Sequence, residues 1–476
     1  MHIRTQQVTA ATAVLAVALL AGCSARDRAG GLAAAEVTTL TFAQGTDLPP
    51  DQLVRFADQV KLASGGALKI KFRNSWRRGE PDSEVGIIDD VRAGKADLGW
   101  VGARVFDEVG VMSFQALLAP LVVDSQDLQQ RVFAAGIPEE MLSGIDRLGL
   151  VGIGVLPGPL RKLMSKGAPL STPAAIAGRR VGIQASKVAE ETFAALGATT
   201  AHMGVGADIS GVDGYELQLS SIWGSHYEES GARNVVGNLN LWPRPLVVFM
   251  GKPAYERLDK AQRKALQAAA AAAVGPADQV SRDEDRSAAA NLCRVGIELP
   301  EASGAELAAL RQALTPVYDE IAKDAKSAAW LARIRQLKAN LVTGPDTASC
   351  TGSGSGATHA APTDGTATSV PEGTYEVTIT DADWRKSGLR PGGSHFTLTF
   401  ENGVVTARDA EGVGFRARYT IFRDKLETQG GTDPLTATFV VHGKTLIFTD
   451  VDTGTCADCG PYHVVWGSHP WTRVGP

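Results

Sequence analysis

From residue 346 to residue 370 the chain abandons every apolar rhythm. Asp-Thr-Ala-Ser-Cys-Thr-Gly-Ser-Gly-Ser-Gly-Ala-Thr leads on to Thr-Ala-Thr-Ser-Val, small and polar throughout, which is the composition of a flexible connector. A break of this kind prevents one continuous core. It divides the 476 residues into a unit of roughly 310 residues and one of roughly 105, sizes that suit a two-lobed domain followed by a small one. The boundaries we read are 37–345 for the first unit, 346–372 for the connector and 373–476 for the second.

At the other end, His2 and Arg4 precede an apolar stretch over residues 13–20, which passes through Ala21 and Gly22 to Cys23 and then into polar Ser24, Arg26 and Asp27. Roughly 10 apolar residues are too few to span a bilayer comfortably, and the small-residue exit is a cleavage pattern. Residues 1–23 read as an export signal and 24–36 as a linker. Leu20-Ala21-Gly22-Cys23 resembles a bacterial lipobox, which implies that Cys23 is lipidated and holds the mature chain to the outer face of the cytoplasmic membrane. A plain signal peptide with a chance cysteine is the alternative. Lys and Arg total 47 against 52 Asp and Glu, a net charge of -5, so no basic footprint for nucleic acid exists.

Removing Cys23 leaves Cys293, Cys350, Cys456 and Cys459, an even number for an oxidising compartment. Cys456 and Cys459 can pair locally, leaving Cys293 to tie Cys350 back onto the first unit. A zinc reading adds His463 and His469, but the spacing is not that of a finger, and we assign no metal site.

The first unit alternates strand-like and helix-like stretches: 38–43, 67–72, 98–101, 149–155 and 180–183 as strands, and 50–62, 85–92 and 187–196 as helices, with a helical tail from 260 to 274 and from 304 to 337. That is the cadence of an α/β sheet. The alanine run at 268–273 follows Gln262, Arg263, Lys264 and Gln267 and reads as a packed helix, not a membrane span. After the connector come short alternating runs at 374–379, 396–400, 404–408, 415–421, 437–441, 445–448 and 471–474, an antiparallel meander that suits a small closed barrel. Its alternation and size resemble lipocalin-type barrels.

Neither unit carries a catalytic signature. No Gly-x-Ser-x-Gly elbow or His-Glu-x-x-His stands in the right context, and Gly443-Lys444-Thr445 lacks the first glycine of a phosphate loop. The chain does not read as an enzyme and implies no cofactor.

Several phrases, in order, resemble the extracytoplasmic solute receptors of tripartite ATP-independent periplasmic (TRAP) transporters: Phe56-Ala57-Asp58-Gln59-Val60 with Ser64-Gly65-Gly66, Val91 through Gly99, Leu117-Leu118-Ala119-Pro120-Leu121, Arg161 through Pro169, Ser171-Thr172-Pro173 with Gly178-Arg179-Arg180-Val181, and Val212-Asp213-Gly214-Tyr215-Glu216. The resemblance implies a fold of class α/β, a two-lobed periplasmic binding protein (type II-like, hinged), here followed by an all-β barrel. It also implies a small organic solute held between the lobes and delivery to the membrane subunits of a TRAP-type transporter. The alternative is a receptor-derived envelope sensor or scaffold no longer coupled to transport.

In that family a strand arginine pairs with the ligand carboxylate, because a planar guanidinium donates two parallel hydrogen bonds. Read without a gap, this position is Gly182. A two-residue gap places Arg180 there instead, and the bland alternative for Arg180 is a surface arginine after a turn. Arg161 matches the family's preceding arginine and is expected to line the cleft. Trp76, Trp100 and Trp223 fall in or beside cleft segments, where an indole can stack on a ring or attract a cation; ordinary packing competes with that role. Gln44, Asp47 and Asn240 lie where polar groups can orient a ligand, and Asp213 reads as a turn residue.

Overall fold

The computed structural model of the chain describes residues 37–46, 49–77, 80, 83–350, 369–387, 394–401, 403–410, 414–422, 424–429, 435–453 and 460–475. Cys23, Asp47, Cys456 and Cys459 lie outside these residues.

The first lobe is built on a sheet in the order Leu68–Arg73, Thr38–Ala43, Leu98–Gly102, Leu246–Gly251, Leu150–Leu156. The first three strands are parallel and Leu246–Gly251 runs against both its neighbours. The central strands Leu98–Gly102 and Leu246–Gly251 are apolar runs, buried along their whole length, because both their faces are covered, whereas the edge strand Leu68–Arg73 alternates and exposes Lys69, Lys71 and Arg73. The second lobe holds Trp242–Pro243, Leu160–Ser165, Gly214–Gln218, Arg180–Ile183 and Thr199–His202, with Asn234–Val235 also paired to Leu160–Ser165.

Three connections join the lobes. The chain leaves the first sheet after Leu156 and enters the second at Leu160, and it returns through residues 243–246. The two passages cross so closely that a Cβ on Gly158 would sit 1.9 Å from the Arg244 carbonyl oxygen, so only glycine fits there. Gln129 clamps the same peptide, donating to the Gly158 carbonyl at 3.0 Å and accepting from its N–H at 3.3 Å. The third connection is the helix Lys260–Arg294, opened by a capping box between Asp259 and Gln262. Its alanine-rich first half lies on the first sheet: a Cβ on Gly154 would come within 2.5 Å of the Ala270 Cβ. Its second half packs Ala288, Ala289 and Leu292 among Tyr215, Trp223 and Tyr227 of the second lobe. Small side chains let the helix approach the sheet; the packing, not a lipid phase, accounts for the alanines.

Residues 346–350, expected to open the connector, are held on the first unit. Asp346 accepts from the Gln126 N–H at 2.7 Å, Ala348 donates to Gly237 at 3.1 Å, and Cys350 is disulfide-bonded to Cys293 at the end of the long helix.

The second unit is a closed antiparallel barrel of eight strands: Gly373–Thr378, His395–Glu401, Val404–Asp409, Gly414–Phe422, Lys425–Gln429, Thr436–His442, Thr445–Asp452 and Trp471–Arg473, the last pairing with the first. Inward positions carry Tyr375, Leu398, Phe400, Tyr419, Phe439 and Phe448, with Trp466 packed on Phe448 at 4.8 Å between ring centroids. Large side chains filling an eight-stranded interior are expected at this diameter. The strand Lys425–Gln429 goes unrecognised in the sequence because its inward face offers only Leu426 and Thr428. The sequence pattern likewise does not show two short helices, Asp381–Lys386 and Gly460–Gly467.

Candidate functional site

A cavity of about 630 Å³ opens between the lobes. Thr46, Asp51 and Gln52 of the first lobe, Gln218, Ser220, Ser221 and Trp223 of the second, and Arg244 and Glu284 from the connections line it. It lies beyond the carboxyl ends of Thr38–Ala43 and Gly214–Gln218, where open α/β sheets place their ligands. The remaining wall comes from the barrel, through Thr420, Ile421, Glu427 and Thr428.

Contacts between the lobes reach across this cleft. Arg104 donates to the Ala185 carbonyl at 2.9 Å and is ion-paired with Glu84. Asp107 accepts from the Ser186 hydroxyl at 3.0 Å and the Val188 N–H at 3.2 Å, at the start of the helix Lys187–Ala195. Burial pushes the Asp107 carboxyl up to about 6 against those hydrogen bonds. Burial also acts to raise Glu84, but the Arg104 and Arg244 guanidiniums overcome it and hold the carboxyl below its ordinary value.

Arg161 is fully buried within this framework. It forms a bidentate ion pair with the Glu216 carboxylate and also donates to the Glu216 carbonyl at 2.8 Å, Gln184 at 2.7 Å and Gln218 at 3.3 Å. A guanidinium has five N–H donors, and these acceptors take all of them. Burial would lower the Arg161 value; the Glu216 carboxylate reverses this and raises it. Arg161 therefore braces the cavity floor through Gln218 and has no donor left for a solute. Beside it, Lys162 donates to the Gly237 carbonyl at 2.6 Å and to Asn240. Burial lowers the Lys162 ammonium and raises the Asp285 carboxyl that faces it.

The other expected residues separate. Arg180 is exposed at the start of Arg180–Ile183, donating to the Gly211 carbonyl at 3.3 Å, at the opposite end of that strand from Gln184. Gly182 is buried, and a Cβ there would lie 2.6 Å from Met203 Sδ and 3.0 Å from the Tyr215 ring, so no arginine fits. Gln44 is buried and closes a turn, bonding Thr46 and Asn74. Trp76 donates to Asp90 at 2.9 Å. Trp100 is buried under Arg244, whose guanidinium lies 4.9 Å from the ring centroid. Asn240 is buried and donates to the carbonyls of Asp124 and Asp346, both at 2.7 Å. Among these expectations, Trp223 lines the cavity.

The residues missed are Arg244, Asp51, Glu284 and Glu427. A usable signal existed for Arg244, one cation within the apolar run Leu241-Trp-Pro-Arg-Pro-Leu-Val-Val. Burial pushes its guanidinium down to about 10 against the pull of Glu84. Burial raises Glu284 and Asp51, and it pushes Glu427 up to about 8 with help from the Asp51 and Glu284 charges.

The barrel is seated on the second lobe by Arg418. Arg418 is buried, its guanidinium carbon lies 3.6 Å from the Trp223 ring centroid, it donates to His226 Nδ1 at 2.7 Å, and it is ion-paired with Glu228. His226, Glu228 and Glu229 have ligand atoms close enough together to hold a metal ion, but the Arg418 cation already occupies that cluster. Burial and the Arg418 charge lower the His226 value, consistent with a neutral ring that accepts the hydrogen bond. Gly403, at φ 74°, completes the contact: a Cβ there would meet the Trp223 ring at 2.9 Å.

Residues 43–324 match the family described as bacterial extracellular solute-binding protein, family 7 (DctP). The C4-dicarboxylate-binding periplasmic protein DctP of Rhodobacter capsulatus is 26% identical over 224 residues, 46% of this chain and 66% of that protein's own length. Two solved structures share the fold. A TRAP periplasmic solute-binding protein from Ochrobactrum anthropi, with its C-terminus bound in the ligand-binding pocket, has 20% identity and a TM-score of 0.56, covering 64% of this chain and 97% of that one. The sugar acid binding protein DctPAm from Advenella mimigardefordensis, in complex with galactonate, has 20% identity and a TM-score of 0.57, covering 63% and 99%.

Proposed function

The chain belongs to the bacterial extracellular solute-binding protein family 7, and on that premise we propose that it captures a small organic solute between its lobes and delivers it to the membrane subunits of a TRAP-type secondary transporter. The observation that carries this reading is the cavity of about 630 Å³ walled by both lobes at the ends of their strands, a volume within the usual range for small-molecule sites. Closure around a guest is driven by its greater affinity for the shut form. Capture and release require no bond to be made or broken, so the protein acts as a receptor and not as an enzyme.

Cys23 anchors the mature chain by its lipid outside the cytoplasmic membrane. Among the described residues no helix is long and apolar enough to cross a membrane. We take 37–345 as the receptor unit and 373–476 as the barrel unit. Purification from the native host without dialysis, followed by denaturation and mass spectrometry, is expected to release one small organic solute per chain. Release of none contradicts capture.

One observation favours a second reading, an envelope sensor or scaffold derived from a receptor: the barrel lies beyond the family match and lines one wall of the cavity. Neighbouring genes for two integral membrane subunits support transport; copurified envelope proteins in their absence support the sensor.

A further inference from the structure

An organic acid would meet a cavity richer in carboxyl groups than in cations. Asp51, Glu284 and Glu427 line it, and among the described residues Arg244 is the one arginine that does. The other guanidiniums nearby already hold carboxylates: Arg161 is paired with Glu216 and bonded to two glutamines, Arg104 is paired with Glu84 and donates to Ala185, and Arg418 is paired with Glu228. The position read as the family's carboxylate clamp is closed by Met203 and Tyr215 against Gly182.

Glu427 comes from outside the family match. In the barrel strand Lys425–Gln429 the side chains alternate; Leu426 is buried in the barrel, while Glu427 lines the cavity with the buried Thr428 beside it. The Arg418 anchor on Trp223, His226 and Glu228 holds this wall in place. Carboxyl groups gathered where water is scarce hold their protons, and a cation bound among them offsets their mutual repulsion and favours their charged form. A second kind of group points to the rest of the guest. Trp223 is fully buried, lines the cavity and has no acceptor for its indole N–H, and the Arg244 Nε–H also lacks one. Buried donors of this kind require an acceptor.

We infer that the barrel is the third wall of the solute site and that its Glu427, with Asp51 and Glu284, selects a hydroxylated amine: the ammonium lies among the carboxylates, and hydroxyl oxygens accept from Trp223 and Arg244. The inference rests on the reading that the interlobe cavity holds a solute. The volume accommodates a hexose-sized guest.

The test uses the full mature chain and a panel in two matched halves, amino sugars and amino alcohols against sugar acids and hydroxy acids. Glucosamine, glucose and glucuronate form its central trio. Thermal shift finds binders and calorimetry measures them. Stabilisation by amines alone is expected, with at least a tenfold weaker Kd in Glu427→Gln. Hydrogen exchange over residues 219–231 in that variant should match the parent, showing that the barrel stays seated. Binding of carboxylates without amines overturns the assigned class but leaves solute capture standing. No binder in either half defeats the solute reading and this inference with it. Amine binding unaffected by Glu427→Gln removes the barrel carboxylate from the site.

Discussion

Arg418→Ala tests how firmly the barrel is held on the second lobe. In the docked state the Arg418 side chain is 2% exposed and the Glu228 side chain 11%, so truncation leaves a nearly dry carboxylate without its cation. Removing one member of a buried pair costs about 3–5 kcal/mol, and a desolvated cation–π contact of the kind made with Trp223 is worth about 2 kcal/mol. The two overlap and are not summed. Undocking returns Glu228 to water, so we take about 3 kcal/mol, which lowers the docking equilibrium by roughly 100-fold at 1.4 kcal/mol per decade. The two units belong to one chain, so docking is intramolecular, and a loss of this size should appear as partial release. Hydrogen exchange read by mass spectrometry should show faster exchange over residues 219–231 and the strand Gly414–Phe422 in Arg418→Ala, with Arg418→Lys intermediate because its point charge lacks the planar stacking surface. Identical protection in parent and Arg418→Ala would refute the reasoning, since the barrel would then be seated by other contacts.

Three further outcomes follow from the buried groups. Glu216→Ala leaves Arg161 charged and unpaired in the second sheet and should lower stability by about 3–5 kcal/mol, measured by denaturant unfolding; a loss below about 1 kcal/mol would mean that Gln184, Gln218 and the Glu216 carbonyl satisfy Arg161 alone. The Cys293–Cys350 link closes a separation of 57 residues, for which the loop-entropy relation gives about 4 kcal/mol; Cys293→Ser should lose stability on that scale, and an unchanged midpoint would show that the tail is held by its hydrogen bonds. Glu427 holds its proton to about pH 8 in the folded chain against an ordinary value of 4.5, so its contribution to stability is complete below pH 4.5 and is lost as pH rises through 8. The difference in stability between parent and Glu427→Gln should therefore vary with pH across that window, and a pH-independent difference contradicts the assigned environment.

The alternating runs of both units are visible in the sequence because burial imposes a period of two on a barrel strand and an apolar run on a covered strand. The strand Lys425–Gln429 escapes this logic: one of its faces fills the barrel and the other meets a second domain, so Glu427 looks like an ordinary solvent-facing charge. Arg161 sits in a family phrase that points to the cleft, but its partner Glu216 is 55 residues away, and nothing local indicates that every donor is already used. Arg180 has the right residue type near the right phrase, yet the strand begins with it and its side chain turns to the Gly211 loop. Glu284 stands in the run Ser-Arg-Asp-Glu-Asp-Arg, which reads as a solvated helix face until the crossing of the lobes places it against Gln52.

The most direct test of two lobes closing on a guest is the distance between them. Spin labels at Lys69 on the first lobe and Thr199 on the second, both exposed, report it through dipolar spectroscopy. Addition of the solute recovered from the native protein to solute-free chain should narrow the distribution and move it to a shorter separation. A distribution unchanged at saturating solute would contradict closure.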